Sequence, residues 1–389
     1  MKRREELDRV QEQQGQKSQE ALGPDQVSIR QAQKTEEKQA PDTEDRLVHV
    51  TEEVASSLLG LAVGDALGVP LEFLGQEEVR SLCVEGYLTE GRHGSFFPEG
   101  SFSDDTSMTI AAMDAIIQDR GKIDYDHVMR HFLAWWYGRE AVSEGGRSYS
   151  RYSSREFPFG LGCICGEAMA NYLRGASALS AGPTEYMSNG NGSLMRIYPF
   201  SAWAIYHGLS DSEMAELLGN GSRLTHGAEI SRMACLIYTL LLREILGGKS
   251  FREAFLSAVS VNYASWFSPE TLNAFGRLLD PSGRFEKVPE SQIRGEGYVL
   301  DSLEVAVWSL LHTESYRDAI LTAINFGYDT DTNASITGAL AGALYGKRAI
   351  PEAWLRKLER RSYLERMAGR FAKVLISETS PLLPPEREA

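Results

Sequence analysis

The chain is poor in the features that would mark a disulfide-stapled, membrane-spanning or nucleic-acid-binding protein. Its four cysteines, Cys83, Cys163, Cys165 and Cys235, form no Cys-x-x-Cys pair, so no disulfide framework is indicated and a reducing, cytoplasmic location is the default expectation. Positive charge is in deficit: 40 Lys and Arg stand against 54 Asp and Glu, a net charge of −14. This argues against a broad nucleic-acid surface and suits a metal–carboxylate enzyme or a basic partner. Apolar runs are short. The best, Leu58 to Leu71, contains Asp65, so no membrane span is expected. The N-terminus has Lys2, Arg3 and Arg4, but acids and Gln follow where a signal peptide would be hydrophobic. Residues 1–46 lack aromatics altogether, are dense in Gln, Glu, Lys and Arg, and are broken by Gly15, Gly23-Pro24 and Pro41. Such a segment buries too little apolar surface to offset its ordering entropy. It reads as a disordered arm with one short charged helix at 3–14, either inert or folding against a partner. Strand-like alternation is scarce beyond it. The apolar content is ordinary for a globular protein with a sizeable core.

What is present is carboxylate, in two clusters. Phe102-Ser103-Asp104-Asp105-Thr106 and Gly327-Tyr328-Asp329-Thr330-Asp331-Thr332 each precede a helical apolar run, Ser107 to Ile117 and Ala334 to Tyr345. Short acids brought together without a cation would be forced to take up protons, and hard oxygen ligands suit Mg²⁺, Mn²⁺ or Ca²⁺. The clusters therefore point to a metal site made by two helix starts far apart in sequence. The competing reading is plain helix capping, since Ser, Asp and Thr favour helix N-termini. An EF-hand loop is excluded, because Ala334 replaces the turn glycine and Leu340 the closing glutamate.

Along the chain, Val54, Leu58, Leu61 and Ala62 recur at helical spacing after Thr51, a plausible cap. Gly60, Gly64 and Gly68 are four apart and would let another backbone approach. Pro70 then ends the helix and leaves Glu72 just beyond it. Tyr125 to Tyr137 predicts a helix on which His127 and His131 stand four apart; with no matching third ligand they read as ordinary helix residues. Arg139 to Phe157 reads as loop. Gly160 and Gly162 precede a helix from Glu167 to Leu173, an arrangement that can expose amides to phosphate. Ser188-Asn189-Gly190-Asn191-Gly192-Ser193 repeats the theme, with Arg196 supplying charge; a plain Asn-Gly turn is the alternative. His226 either reaches a ligand or caps the next helix. Helices at 201–206, 211–220, 229–246, 251–261, 297–312 and 316–325 complete an all-α globule from about 48 to 375. The organisation expected is an arm (1–46), one helical domain (47–376) and a loose Pro/Glu-rich tail (377–389).

Five stretches in this order resemble the ADP-ribosylglycohydrolases: Gly64-Asp65-Ala66-Leu67-Gly68 with Glu72; Ser103-Asp104-Asp105-Thr106-Ser107-Met108; Gly190-Asn191-Gly192 with Met195-Arg196; Leu224-Thr225-His226; and Asp329-Thr330-Asp331-Thr332 with Gly338-Ala339-Leu340-Ala341-Gly342. The resemblance covers about Glu53 to Arg361. It implies an all-α, multi-helix globule around a central cleft holding two Mg²⁺ or Mn²⁺ ions. The metal ligands it implies are Ser103, Asp104, Asp105, Asp329, Asp331 and Thr332. Asp104, Asp105, Asp331 and Glu72 are the implied catalytic acids. Gly160, Gly162, Ser188, Gly190, Asn191 and His226 fall at positions that contact ADP-ribose. The chain departs from the family in having Ser103 where Thr is usual, which keeps the hydroxyl, and Tyr328 where a small residue is common, which alters the mouth of the site.

The function this implies is metal-dependent removal of ADP-ribose from modified protein side chains, arginine being the expected acceptor because Ser-Asp-Asp-Thr-Ser-Met is closest to the arginine-directed branch. A second role of a different class is an immunity protein, in which the N-terminal arm occludes an ADP-ribosyltransferase toxin of a type VI secretion system; the two roles are compatible. The intact acid set argues against a catalytically silent, crystallin-like relative.

Overall fold

A stripe of small residues sets the architecture. In the computed structural model, which describes residues 43–88, 97–138 and 140–377, one long helix runs from Thr43 to Gly68. Its small residues Ser56, Gly60, Gly64 and Gly68 meet Gly342, Gly338, Ala334 and Asp331 of the Thr330–Tyr345 helix in reverse order. The two helices are therefore antiparallel and touch backbone to backbone. A methyl added at Gly60 would overlap the carbonyl oxygen of Gly338, and one at Gly64 that of Ala334. Each of the four pairs contains a glycine, and their spacing of three to four residues keeps them on one face of each helix. The hydroxyl of Thr330 donates to the Gly68 carbonyl at 2.8 Å and seals the junction. The consequence is functional: the end of one helix is fastened to the start of the other, which puts Asp65 beside Asp331.

Apolar side chains around this pair complete the core. Leu58, Leu59, Leu61, Val63 and Leu67 are buried, as are Leu236, Leu240 and Leu241 of the Glu229–Leu246 helix. The Asp104–Gln118 helix packs on Tyr125–Tyr137 and on the Arg361–Leu375 helix.

The expected all-α fold is present, with several differences in detail. The first helix starts at Thr43, not Thr51, and Glu44 and Asp45 occupy its first turn, where the helix dipole favours acids. With the turn to Leu71 it contains an apolar window long enough to cross a membrane, which the sequence reading put too short; that window lies entirely within the protein interior. The stretch read as loop after Arg139 contains an antiparallel hairpin, Ala141–Glu144 with Arg147–Ser150. Gly145 and Gly146, with φ of +58° and +79°, form its two-residue turn. The helix after Gly162 begins at Cys163 rather than Glu167. The expected arm, except for Thr43–Arg46, and the tail beyond Ser377 lie outside the described residues.

Candidate active site

Two helix starts converge on one buried patch of acid. Asp104 and Asp105 open the Asp104–Gln118 helix, and Asp331 lies in the first turn of Thr330–Tyr345. Asp105 is fully buried; Asp104 and Asp331 are 5% and 3% exposed. Carboxylate oxygens of Asp65, Asp105 and Asp331 lie within 4.8 Å of one another.

The capping explanation fails at both helices. Ser103 and Asp329 occupy the N-cap positions, and neither side chain caps its own helix. At the first helix the work is done by Asp65, from a different helix. One of its oxygens accepts from the amide and hydroxyl of Ser103, both at 2.8 Å. The other accepts from the amide and hydroxyl of Thr106, at 3.0 and 2.6 Å. A carboxylate has about four lone-pair sites, so Asp65 is saturated. We therefore assign it to positioning: it orients the helix start that carries Asp104 and Asp105. Burial pushes Asp65 up to about 6 against the pull of those four donors.

The remaining acids are left strained. Burial, and then the charges of Asp65, Glu72 and Asp329, hold Asp104 well above the usual carboxylate range. Burial, Asp65, Asp104 and Asp329 do the same to Asp105. For Asp331 the causes are burial, then Glu72, Asp329, Asp105 and Asp65. No arginine or lysine is among the groups acting most strongly on these carboxyls. Asp105 Oδ1 is buried without a hydrogen-bond partner, although such an oxygen in a protein interior ordinarily has one. An unpartnered buried oxygen among unneutralised carboxylates fits a hard divalent cation.

The amide of Thr332 donates to Asp331 Oδ1 at 2.9 Å. Asp329 accepts from Asn191 Nδ2 at 2.9 Å, which ties the second glycine loop to the acids. Gly160 lies against the first cluster: a Cβ there would be 2.6 Å from Asp104 Oδ1, and φ is +90°. Gly162, next to open space, precedes the Cys163–Leu173 helix. Gly190 and Gly192 wrap His226, where added Cβ atoms would come within 3.2 Å of Nε2 and 2.9 Å of Cε1. Burial, then Arg196, pushes His226 down to about 3, so it is a neutral imidazole. Ser188 ends the short turn Tyr186–Ser188 just before this loop. Glu72 follows the 3-10 turn Val69–Leu71 and acts on Asp104 and Asp331 from the rim. On either side of the rim, Phe73 and Tyr328 hold left-handed backbones, φ +66° and +58°. The Phe73 amide donates to the Tyr328 carbonyl, and the Tyr328 amide to that of Leu74. Bulky residues in this conformation are strained by ~1–3 kcal/mol each; here they adjoin Glu72 and Asp329 in sequence, and both aromatic rings are exposed.

Arg196 corrects an expectation. It is fully buried and donates to Gly221 O and Thr225 Oγ1, at 3.0 and 2.6 Å, so its charge is spent inside the protein. It acts on the site through Thr225, whose hydroxyl is 3.0 Å from His226 Nδ1. Asp65 was the residue missed. Its signal was a lone acid inside the apolar run Leu58–Leu71, since a buried charge requires partners.

Comparison with known proteins agrees with this geometry. A family model described as ADP-ribosylglycohydrolase matches residues 46–381. The chain is 32% identical over 318 residues to ADP-ribosylarginine hydrolase Tri1 of Serratia proteamaculans, covering 80% of this chain and 76% of the relative. It is 31% identical to the protein of that name from Pseudomonas putida, with the same coverage. It is 24% identical to the ADP-ribosyl-(dinitrogen reductase) glycohydrolase of Rhodospirillum rubrum, over 80% of this chain and 91% of that one. A solved structure titled ADP-ribosylglycohydrolase-related protein complex superposes with a TM-score of 0.63 at 26% identity, covering 84% of this chain and 99% of the other.

Proposed function

The chain belongs to the ADP-ribosylglycohydrolase family, and from that premise we propose that it is a metal-dependent hydrolase that releases ADP-ribose from modified arginine side chains of proteins. The observation that carries the proposal is the pairing of Asp105 and Asp331, acids from separate helices brought together through Asp65, whose helix packs by glycines on the Asp331 helix and whose carboxylate holds the start of the Asp105 helix, with Asp105 Oδ1 left unpartnered. The choice of arginine rests on the two relatives named as arginine hydrolases.

Two Mg²⁺ or Mn²⁺ ions would be held by Ser103, Asp104, Asp105, Asp329, Asp331 and Thr332. Bound there, they would supply Lewis acidity toward ribose hydroxyls and a water. The protein's own part follows from its geometry. Asp104, Asp105 and Asp331 are the carboxylates able to take a proton from the attacking water. Its oxygen bonds to the anomeric carbon as the bond to the guanidine nitrogen breaks, and the proton taken by the carboxylate is passed on to that leaving nitrogen. Positive charge develops on the ribose ring and is stabilised by the surrounding carboxylates. Glu72 reaches this space from the rim. Exposed Gly162, at a helix N-terminus, and the loop Ser188–Asn191 suit the diphosphate and its ribose. Gly160 and His226 form walls too close for any added Cβ.

The test is a comparison of linkages. Protein substrates carrying ADP-ribose on arginine or on serine are incubated with the enzyme and Mg²⁺, and free ADP-ribose is measured. Release from arginine supports the proposal. Release from serine alone overturns the choice of acceptor, and release from neither overturns the activity.

A further inference from the structure

A second constellation lies outside the acid cleft, where the Tyr125–Tyr137 helix packs on the Asp104–Gln118 helix. His127 and His131 are one turn apart, with Nε2 atoms 3.1 Å from each other and rings at 81°. His127 Nδ1 is 2.8 Å from Asp119 Oδ2, and a carboxylate only accepts, so His127 carries its proton on Nδ1. Tyr152 has one proton, and its hydroxyl donates to Asp114 Oδ2 at 2.7 Å. Asp114 stays ionised: burial raises it, but Tyr152, Arg151, His131 and Arg370 bring it below its ordinary value. The Tyr152 oxygen, 2.8 Å from His131 Nδ1, must therefore accept. His131 also carries its proton on Nδ1. With both rings neutral, the two Nε2 lone pairs face each other across 3.1 Å, a gap that a shared proton or a metal ion would bridge.

We propose that His127 and His131 form a second metal site, taking one divalent first-row transition-metal ion of the kind that prefers imidazole, such as Zn²⁺, Ni²⁺ or Cu²⁺. Histidines four apart on one helix face are the spacing used by helical zinc sites. Each ring is oriented through Nδ1 by an acceptor, Asp119 directly and Asp114 through Tyr152, as ligating histidines ordinarily are. An ion at ~2.0–2.1 Å from both nitrogens subtends an angle of about 100° across the 3.1 Å gap, which suits tetrahedral or octahedral coordination. The His127 side chain is 21% exposed, so water can complete the shell. That removes the objection that no third protein ligand matches. A shared proton would fill the same 3.1 Å gap, and the imidazole resonances in the test below separate the two occupants. Asp114 lies nine residues beyond Asp105 on the same helix, about 14 Å along its axis, so the site is separate from the cleft.

The test uses the full chain with saturating Mg²⁺ to occupy the oxygen cleft. One equivalent of Cu²⁺ should give an electron paramagnetic resonance spectrum with nitrogen coupling from two imidazoles. That coupling should be lost, and Zn²⁺ affinity by calorimetry should fall at least tenfold, in both His127→Gln and His131→Gln. Should either variant misfold, ¹⁵N NMR of the wild-type imidazoles decides: Zn²⁺ should shift the Nε2 resonances of both rings. A wild-type spectrum with oxygen ligands only, unaltered Zn²⁺ affinity in folded variants, or Nε2 resonances that ignore Zn²⁺ and report a shared proton would overturn the proposal.

Discussion

Replacing Asp65 by Asn should damage the enzyme without touching any of the acids assigned to the ions. Asp65 holds four donors, two on each oxygen. An amide keeps one oxygen, and its NH₂ group must face the other pair. The hydroxyl of that pair can turn to accept, but the backbone N–H cannot. One buried N–H is left unsatisfied, at ~1–3 kcal/mol, and the hydrogen bonds that remain lose their charge assistance, from ~1.5–3 to ~1 kcal/mol each. Over the three bonds that remain, the sum is roughly 2.5–9 kcal/mol. An opposing effect depends on metal: removing Asp65's charge relieves Asp104, Asp105 and Asp331, all raised in part by it. With EDTA this relief offsets much of the loss, whereas with Mg²⁺ the repulsion is already neutralised and the full cost appears. Differential scanning fluorimetry should therefore show a deficit of roughly 5–10 °C in Mg²⁺ and a clearly smaller one in EDTA. Calorimetry should show Mg²⁺ affinity reduced ~10–100-fold, as for other residues that orient ligands. Equal melting temperatures in Mg²⁺ together with unchanged Mg²⁺ affinity would refute the positioning role of Asp65.

Three further outcomes are expected. Gly64→Ala, whose methyl would overlap the Ala334 carbonyl, should destabilise by ~1–3 kcal/mol through overpacking, whereas Gly369→Ala, with its nearest neighbour 3.9 Å away, should stabilise by up to ~1 kcal/mol through helix propensity; urea denaturation separates them. His226 is held at about 3 when folded and titrates near 6.5 when unfolded, so the unfolded chain binds more protons and stability falls with pH through that window. Between pH 6.5 and 5.5 wild type should lose about 1 kcal/mol more than His226→Gln, read from urea midpoints at each pH. Asn191→Ala removes the donor to Asp329 at 2.9 Å and should lower kcat/KM ~10-fold or more, with a change in melting temperature of under ~3 °C.

The sequence made some of this legible and hid the rest for physical reasons. Glycines four apart at 60, 64 and 68 announce a close helix contact, because period and helix turn coincide; the structure shows that partner to be the Thr330–Tyr345 helix. The acid clusters announce a shared site because each sets short carboxylates among hydroxyls at the start of an apolar helical run. Asp65 was invisible as a site residue because its role depends on four donors supplied by a segment 38 to 41 residues away. Arg196 was read as a ligand to phosphate because charge beside a glycine loop usually faces solvent; burial against Phe132, 5.0 Å from the ring centre, is a tertiary fact. The hairpin after Arg139 escaped because two four-residue strands carry too little alternation to show a period. Its Gly145-Gly146 turn was the one available signal.

The most direct test of the central claim is release of free ADP-ribose from arginine-ADP-ribosylated protein by wild type and Asp105→Ala, each with Mg²⁺ and with EDTA. The account predicts release by wild type in Mg²⁺, its loss in EDTA, and no release above background by Asp105→Ala in either condition. Full release by Asp105→Ala, or by wild type after exhaustive chelation, would contradict it.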